Sequence, residues 1–166
     1  MGLSEDLEKI AIQEETLVLQ RFDYEVAWHI GTRLRELAVA RNYGLVIDLR
    51  RFGQPLFYSA LAGTTPNNPD WVRRKSNVVA HFFRSSYAVG LELHHKNTDL
   101  VQRYGLPFSE YAAHGGSFPI HVAGAGVVGS VTVSGLPQRA DHELVVEVLC
   151  LETGLSYSGL KLSEGQ

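Results

Sequence analysis

The segment "FPIHVAGAGVVGSVTVSG" (residues 118–135) gives the strongest indication of the fold. Its glycines at 124, 126 and 129 match the G-x-G-x-x-G pattern of dinucleotide-binding proteins, which needs a strand before the glycines and a helix after them. Here the residues after Gly129 alternate between valine and hydroxyl-bearing side chains, which is the period of a strand. The segment therefore predicts a β-hairpin, with glycine at the turn because it tolerates a positive φ.

Working outward, a second hairpin is predicted where "LVIDL" (45–49) and "PLFYSAL" (55–61) flank "RRFGQ". "TLVLQRF" (16–22) adds one more strand. Helices are predicted for 4–15, from Asp23 to about 41, for 70–87 and from Asp141 to about 153, with one short helix near 99–104 in an otherwise irregular segment, 90–116. The predicted fold is α+β: a profilin-like, five-stranded, mostly antiparallel sheet with helices on both faces.

The length and composition predict one domain. A chain of 166 residues, 45% hydrophobic and 20% charged, can bury one substantial core. No repeat or linker divides it. The expected core spans 17–153, and the tail 154–166 is expected to be loose.

The charge and the cysteine content limit the partners and the location. A formal charge of −3 and a pI near 6.1 give no attraction for nucleic acid. The longest apolar runs are too short to cross a membrane. A single cysteine, Cys150, excludes an internal disulfide and is typical of a reducing compartment. These features predict a cytoplasmic protein that binds neither nucleic acid nor membrane.

A lysine interrupts the apolar face of the predicted helix 70–87. Lys75 lies in the middle of a stripe formed by Trp71, Val78, Val79, Phe82 and Ser86. Such a lysine must extend to solvent, pair with a carboxylate or face a polar pocket. Asp48 and Asp141 are possible partners, although Asp141 is also expected to cap the last helix. The sequence leaves open whether Lys75 forms a structural ion pair or contacts a ligand.

A histidine beside two glycines gives the second candidate site. His114 precedes Gly115 and Gly116, and two successive glycines allow backbone N–H groups to converge on an anion or a carbonyl. The imidazole can serve as a hydrogen-bond donor, an axial ligand or a proton shuttle. The alternative is a bend before a strand, with an exposed histidine.

No self-sufficient catalytic or metal motif accompanies these residues. The histidines lack the spacing of a zinc site, and the side chains of His94 and His95 diverge on any regular element. No nucleophile–base pair is evident. No metal site is predicted, and catalysis is left open.

Three segments, "HGGSFPI", "VVGSVTVSGLPQRADH" and "WVRRKSNVV", in this order and spacing, resemble the haem-degrading and haem-binding superfamily of GlcG-, HbpS- and PduO-C-terminal-like proteins. More narrowly, the chain resembles a bacterial and fungal subfamily of that group. The resemblance covers roughly residues 17–151. It implies a profilin-like sandwich that forms a homo-oligomer. Some relatives bind or break down haem, and many have no established activity.

The resemblance extends to individual positions. The family's paired-glycine turn corresponds to Gly115, Gly116 and Pro119, its helix lysine to Lys75 and its acidic helix start to Asp141. Its Gly-x-x-x-Val-Ser-Gly strand corresponds to "GSVTVSG" (129–135). Haem-linked members commonly have proline where this chain has His114.

Two hypotheses follow. In the first, the protein is an oligomer that binds a small anionic ligand, with haem as a possible cofactor, near Trp71, Lys75, His114–Gly116 and Asp141. In the second, it is a structural or adaptor protein that acts through homo-oligomerisation and protein partners. There the glycines are turns and Lys75 is an internal ion pair.

Overall fold

The computed structural model, which describes residues 2–164, confirms the α+β class with helices on both faces of a five-stranded sheet. The elements, in chain order, are α1 (Gly2–Thr16), β1 (Val18–Leu19), α2 (Tyr24–Ala40), β2 (Val46–Arg51), β3 (Gln54–Ala60), α3 (Asn67–Phe82), α4 (Ser86–His95), α5 (Leu100–Tyr104), β4 (Ser117–Val122), β5 (Gly126–Ser134), α6 (Gln138–Thr153) and α7 (Tyr157–Leu160).

The sheet has the strand order β1-β4-β5-β2-β3. β1 runs parallel to β4, and every other neighbouring pair is antiparallel. The predicted hairpin of β4 and β5 is confirmed, with Gly124 and Gly126 in its turn at φ 77° and 82°. A strand follows the glycines where a dinucleotide site needs a helix, so the glycines serve the turn.

The two faces of the sheet differ in polarity. On one face, apolar residues such as Ile47, Val131 and Ile120 join α2 and α6 in the main core. The alternating residues point to the other face, against which α3 packs. That face is polar and buried, and the hydroxyls of Ser117 and Thr132 lie 2.8 Å apart on it.

The predicted helix 70–87 is in fact two helices. α3 begins earlier, at Asn67, and ends at Phe82, where Phe83 adopts a left-handed φ of 55°. The Ser85 hydroxyl then accepts a hydrogen bond from the N–H of Ala88 and caps α4. Helical periodicity continued across the break, so the prediction missed this change of direction.

The first predicted strand is much shorter than expected. Residues 16–22 were predicted as a strand, but α1 extends to Thr16 and only Val18–Leu19 pairs with β4. Two residues are enough to place the chain at the sheet edge before Asp23 caps α2.

The prediction of a loose tail from residue 154 is wrong for the residues up to 164. α7 forms, and Leu160 and Leu162 are buried. Lys9 and Gln13 of α1 donate side-chain hydrogen bonds to the carbonyls of Gly159 and Leu160. The partners lie at the opposite end of the chain, so no local pattern in the tail reveals them.

His142 of α6 is buried in this terminal region. It is 1% exposed, and its Nε2 lies 2.8 Å from Oε1 of Gln13. Gln13 donates its Nε2–H to Leu160, so its Oε1 accepts the proton of His142. Burial, helped by the charge of Arg139, lowers the pKa of His142 from 6.5 to about 3.

Acid should therefore weaken the fold through His142. Between pH 6.5 and about 3 the unfolded chain binds a proton that the folded chain excludes, so this group lowers the free energy of unfolding by about 1.4 kcal/mol per pH unit as the pH falls. Urea unfolding from pH 7 to pH 4 measures this slope. His142→Gln should show a shallower acid decline than the wild type. Parallel declines would contradict the assignment.

Candidate functional site

Four of the residues selected from the sequence line one polar cavity. Trp71 and Lys75 of α3, His114 before β4 and Asp141 of α6 surround a space of about 280 Å³. The N-terminal turns of α3 and α6 meet there beside the end of β5. The fold thus brings together side chains that lie up to 70 positions apart, counting from 71 to 141.

The Lys75 ammonium lies inside the protein. The residue is 4% exposed, and its Nζ donates to Oδ2 of Asp141 at 3.0 Å and to the carbonyl of Val133 at 3.2 Å. Burial lowers the pKa of Lys75 and raises the pKa of Asp141, and the attraction between the two charges opposes both shifts. Each group therefore depends on the other for its charge.

Asp141 does not cap α6 as expected. The helix begins three residues earlier, at Gln138 after Pro137. The carboxylate instead accepts the backbone N–H of Leu136 at 3.0 Å as well as the Lys75 bond. Asp141 therefore ties α3, α6 and the loop after β5 to one another.

The paired glycines allow the chain to pass close to this ion pair. A Cβ on Gly115 would lie 2.2 Å from the carbonyl oxygen of Gln138. Gly116 has a φ of 135°, and a Cβ there would lie 2.5 Å from the carbonyl oxygen of Val133 and 2.7 Å from Nζ of Lys75. The Gly115 N–H donates to Oε1 of Gln138 at 3.1 Å, so this donor serves the fold.

His114 lies at the wall of the cavity, near one aromatic residue, Trp71, and one cationic residue, Arg74. Its ring meets Trp71 edge to face at a centroid distance of 5.2 Å. The Arg74 guanidinium carbon lies over the Trp71 ring, 4.2 Å from the centroid of that ring. His114 is exposed, and partial desolvation of its ring by the cavity wall, followed by the charges of Lys75 and Arg74, lowers the pKa of His114. This shift favours the neutral imidazole, whose lone pair can bind a metal or a proton.

A larger cavity of about 690 Å³ adjoins the first. Trp71, His114 and Gln138 line both. α3, α4, α5 and the chain from 105 to 114 form its walls. The larger cavity is also lined by Leu91, Leu93, Leu100, Phe108, Tyr111, Arg74 and His94.

Sequence reasoning missed most of the larger cavity. The segment 90–116 was predicted to be irregular, yet α4 occupies its beginning and supplies one wall. Arg74 was not among the selected residues, and the side chain of His94 was expected to diverge from that of His95. The aromatic and histidine content of the segment was the available signal.

The cavity offers single side chains, rather than a cluster, as potential ligands for a metal. Across residues 2–164, no three His, Cys, Asp or Glu side chains form a cluster able to hold a bare metal ion. A haem iron needs only axial protein ligands, because the porphyrin supplies four nitrogens. Cys150 is buried, and desolvation raises its thiol pKa to about 11, so it is not an activated nucleophile.

The fold and the family agree. Residues 22–150 match the model of a family described as haem-degrading HbpS-like proteins. The chain belongs to this HbpS-like family, which confirms the resemblance noted from its motifs.

The similar proteins extend over almost the whole chain. A UPF0303 protein of Burkholderia thailandensis is 60% identical over 163 residues, covering 98% of this chain and 99% of that protein. A UPF0303 protein of Paraburkholderia phymatum is 59% identical over 164 residues, covering 99% of each.

Two solved structures share the fold. The Ybr137w protein superposes with a TM-score of 0.83 at 26% identity, over 89% of this chain and 87% of its own. A PduOC:heme complex superposes with a TM-score of 0.63 at 13% identity, over 75% and 90%. Within the part of the chain that is described, no helix is long and apolar enough to cross a membrane.

Proposed function

We propose that this protein binds haem in the larger cavity, with His114 as an iron ligand. The observation that carries the proposal is the position of the His114 imidazole, at the wall of a cavity of about 690 Å³. Small-molecule and cofactor sites span roughly 300–1,000 Å³ and are mostly apolar, with a few polar groups. Neutral imidazole is a common haem-iron ligand.

The cavity lining suits a flat, apolar group that carries carboxylates. Leu91, Phe108 and Tyr111 supply apolar and aromatic surface. The Arg74 guanidinium, whose Nε and Nη1 donate to Asp70 and to the Phe108 carbonyl, supplies a positive charge for a carboxylate. The match to a haem-degrading family supports this ligand class, and the related fold of PduOC has been solved with heme.

Lys75 and Asp141 act on His114 indirectly in this proposal. Their ion pair fixes α3 against α6, and the two glycines allow the chain that carries His114 to lie against it. The Lys75 charge also favours the neutral imidazole. Together they hold the ligating side chain in place and favour its unprotonated form.

Self-association is a second part of the proposal. Two aromatic side chains on α2, Tyr24 and Trp28, are 61% and 60% exposed. Aromatic residues are enriched in interfaces between proteins. This surface supports the homo-oligomer that the resemblance implies, and it is the observation that favours an adaptor role as the alternative function.

Hemin titration tests the haem proposal. Purified protein should give a saturable complex with a shifted Soret band. His114→Ala should raise the Kd by at least about tenfold, a loss of about 1.4 kcal/mol, and change the spectrum. His29→Ala, an exposed histidine of α2, is the matched control and should bind as the wild type does. His94→Ala tests whether His94, the other histidine that lines this cavity, binds the iron in place of His114.

Two outcomes would contradict this proposal. A stoichiometric complex that His114→Ala leaves unchanged would remove His114 as the ligand. Failure of the wild type to form any saturable complex would remove haem as the cofactor.

A further inference from the structure

Two phenylalanines occupy backbone positions that usually select glycine or asparagine. Phe52 lies in the β2–β3 turn at φ 48°, and Phe83 ends α3 at φ 55°. A bulky side chain is strained in this left-handed region. The side chains are also 79% and 60% exposed, so burial in the core does not offset the strain.

Both phenylalanines border the same cavity. It measures about 110 Å³ and lies between the β2–β3 turn, the end of α3 and the beginning of β5. Its remaining apolar lining is Val79, Ala80, Val127 and Val128. Strained residues are concentrated at active sites, ligand clamps and switch regions, and here two of them flank one opening.

An arginine is the charged residue of this cavity, and Ser76 and Asn77 of α3 add polar lining. Arg50 lines it together with Ser130, its cross-strand neighbour on β5. The Arg50 Nε donates to Oδ1 of the buried Asp48 at 2.7 Å. In residues 2–164 its two terminal nitrogens have no hydrogen-bond partner. A guanidinium held through its Nε presents those nitrogens as a carboxylate-binding fork.

We propose that this cavity binds a small carboxylate with a short apolar tail. The carboxylate pairs with the terminal nitrogens of Arg50, and the tail lies between the rings of Phe52 and Phe83. None of the residues that line this cavity lines the cavity of His114, so the site is separate from the proposed haem site and does not depend on it.

The test uses 3-phenylpropionate as the probe and its primary amide as the neutral counterpart. Amide resonances of residues 50–53 and 127–130 in ¹⁵N-labelled protein should shift saturably with the acid in the millimolar range. The primary amide of the probe should bind at least tenfold more weakly than the acid, because it lacks the charge that the guanidinium recognises. Arg50→Lys leaves a positive charge beside Asp48 but removes the guanidinium fork. The affinity of this variant for the acid should also fall at least tenfold.

The phenylalanine variants carry an unusual signature. Phe52→Asn and Phe83→Gly should each raise the Tm by about 2–4 °C by relieving backbone strain, while weakening probe binding at least tenfold. Leu151→Gln removes a comparably exposed apolar side chain on α6 and should leave probe binding unchanged. Because both phenylalanine variants are expected to be more stable, loss of binding cannot be a folding defect.

Three results would overturn the proposal. The first is a wild type that shows no saturable shifts. The second is probe binding that Phe52→Asn and Phe83→Gly leave unchanged. The third is a change in particle mass by light scattering in these variants without loss of probe binding, which would assign the surface to contacts between copies of the chain.

Discussion

Lys75→Met should lower the free energy of unfolding by about 3–5 kcal/mol, because it leaves Asp141 buried without its cation. The expected loss in Tm is about 6–20 °C for a chain of this size. Differential scanning calorimetry and urea unfolding at pH 7 measure it. The exposed Lys161→Met serves as the control and should change stability by no more than about 0.5 kcal/mol.

A double variant separates the ion pair from its surroundings. Lys75→Met combined with Asp141→Asn leaves no unpaired charge, and the asparagine oxygen can still accept the Leu136 N–H. The double variant should lower the free energy of unfolding by less than the sum of the losses in the two single variants. A stability-neutral Lys75→Met would contradict the structural ion pair and would favour a lysine that contacts a ligand.

Gly116→Ala should destabilise the protein by about 2–4 kcal/mol. The φ of 135° strains any residue with a Cβ, and that Cβ would lie 2.5 Å from the backbone oxygen of Val133. Because the chain before Gly116 carries His114, hemin affinity should fall in the same variant. Thermal unfolding and the Soret titration measure the two effects.

Two other glycines provide graded controls. Gly124→Ala meets nothing within 4 Å but has a φ of 77°, so it should cost about 1 kcal/mol. Gly159→Ala has neither strain nor a close neighbour and should be nearly neutral. If Gly116→Ala costs no more than Gly124→Ala, the glycine serves only as a turn and the close approach to Lys75 is irrelevant.

The hairpins could be predicted because their signals are local. Alternation after Gly129 identifies β5, and the same rule separates a strand from the helix that a dinucleotide site requires. The division between α3 and α4 was missed, because an exposed phenylalanine ends α3 in a conformation that normally selects glycine. The order of the tail was missed because its stabilising partners lie in α1.

The site was predictable where the sequence departs from its own pattern. A lysine within an apolar stripe and two glycines beside a histidine conflict with ordinary local preferences, and such conflicts concentrate at functional or strained positions. These rules selected four residues that line one cavity. They could not decide the partner of Lys75, because Asp141 lies 66 positions away.

The larger cavity was not predictable from local pattern. Its walls come from α3, α4, α5 and the connection before β4, and their positions depend on how α4 packs against α1. Arg74 and His94 therefore carried no signal that would distinguish them from surface residues.

The most direct test of the haem proposal is a crystal structure of the protein grown with hemin, phased to show the iron by its anomalous scattering. The expected result is an iron peak bonded to the His114 imidazole, with the porphyrin between α3 and α4 and a propionate beside Arg74. An iron held by another residue, or a porphyrin outside this cavity, would contradict it.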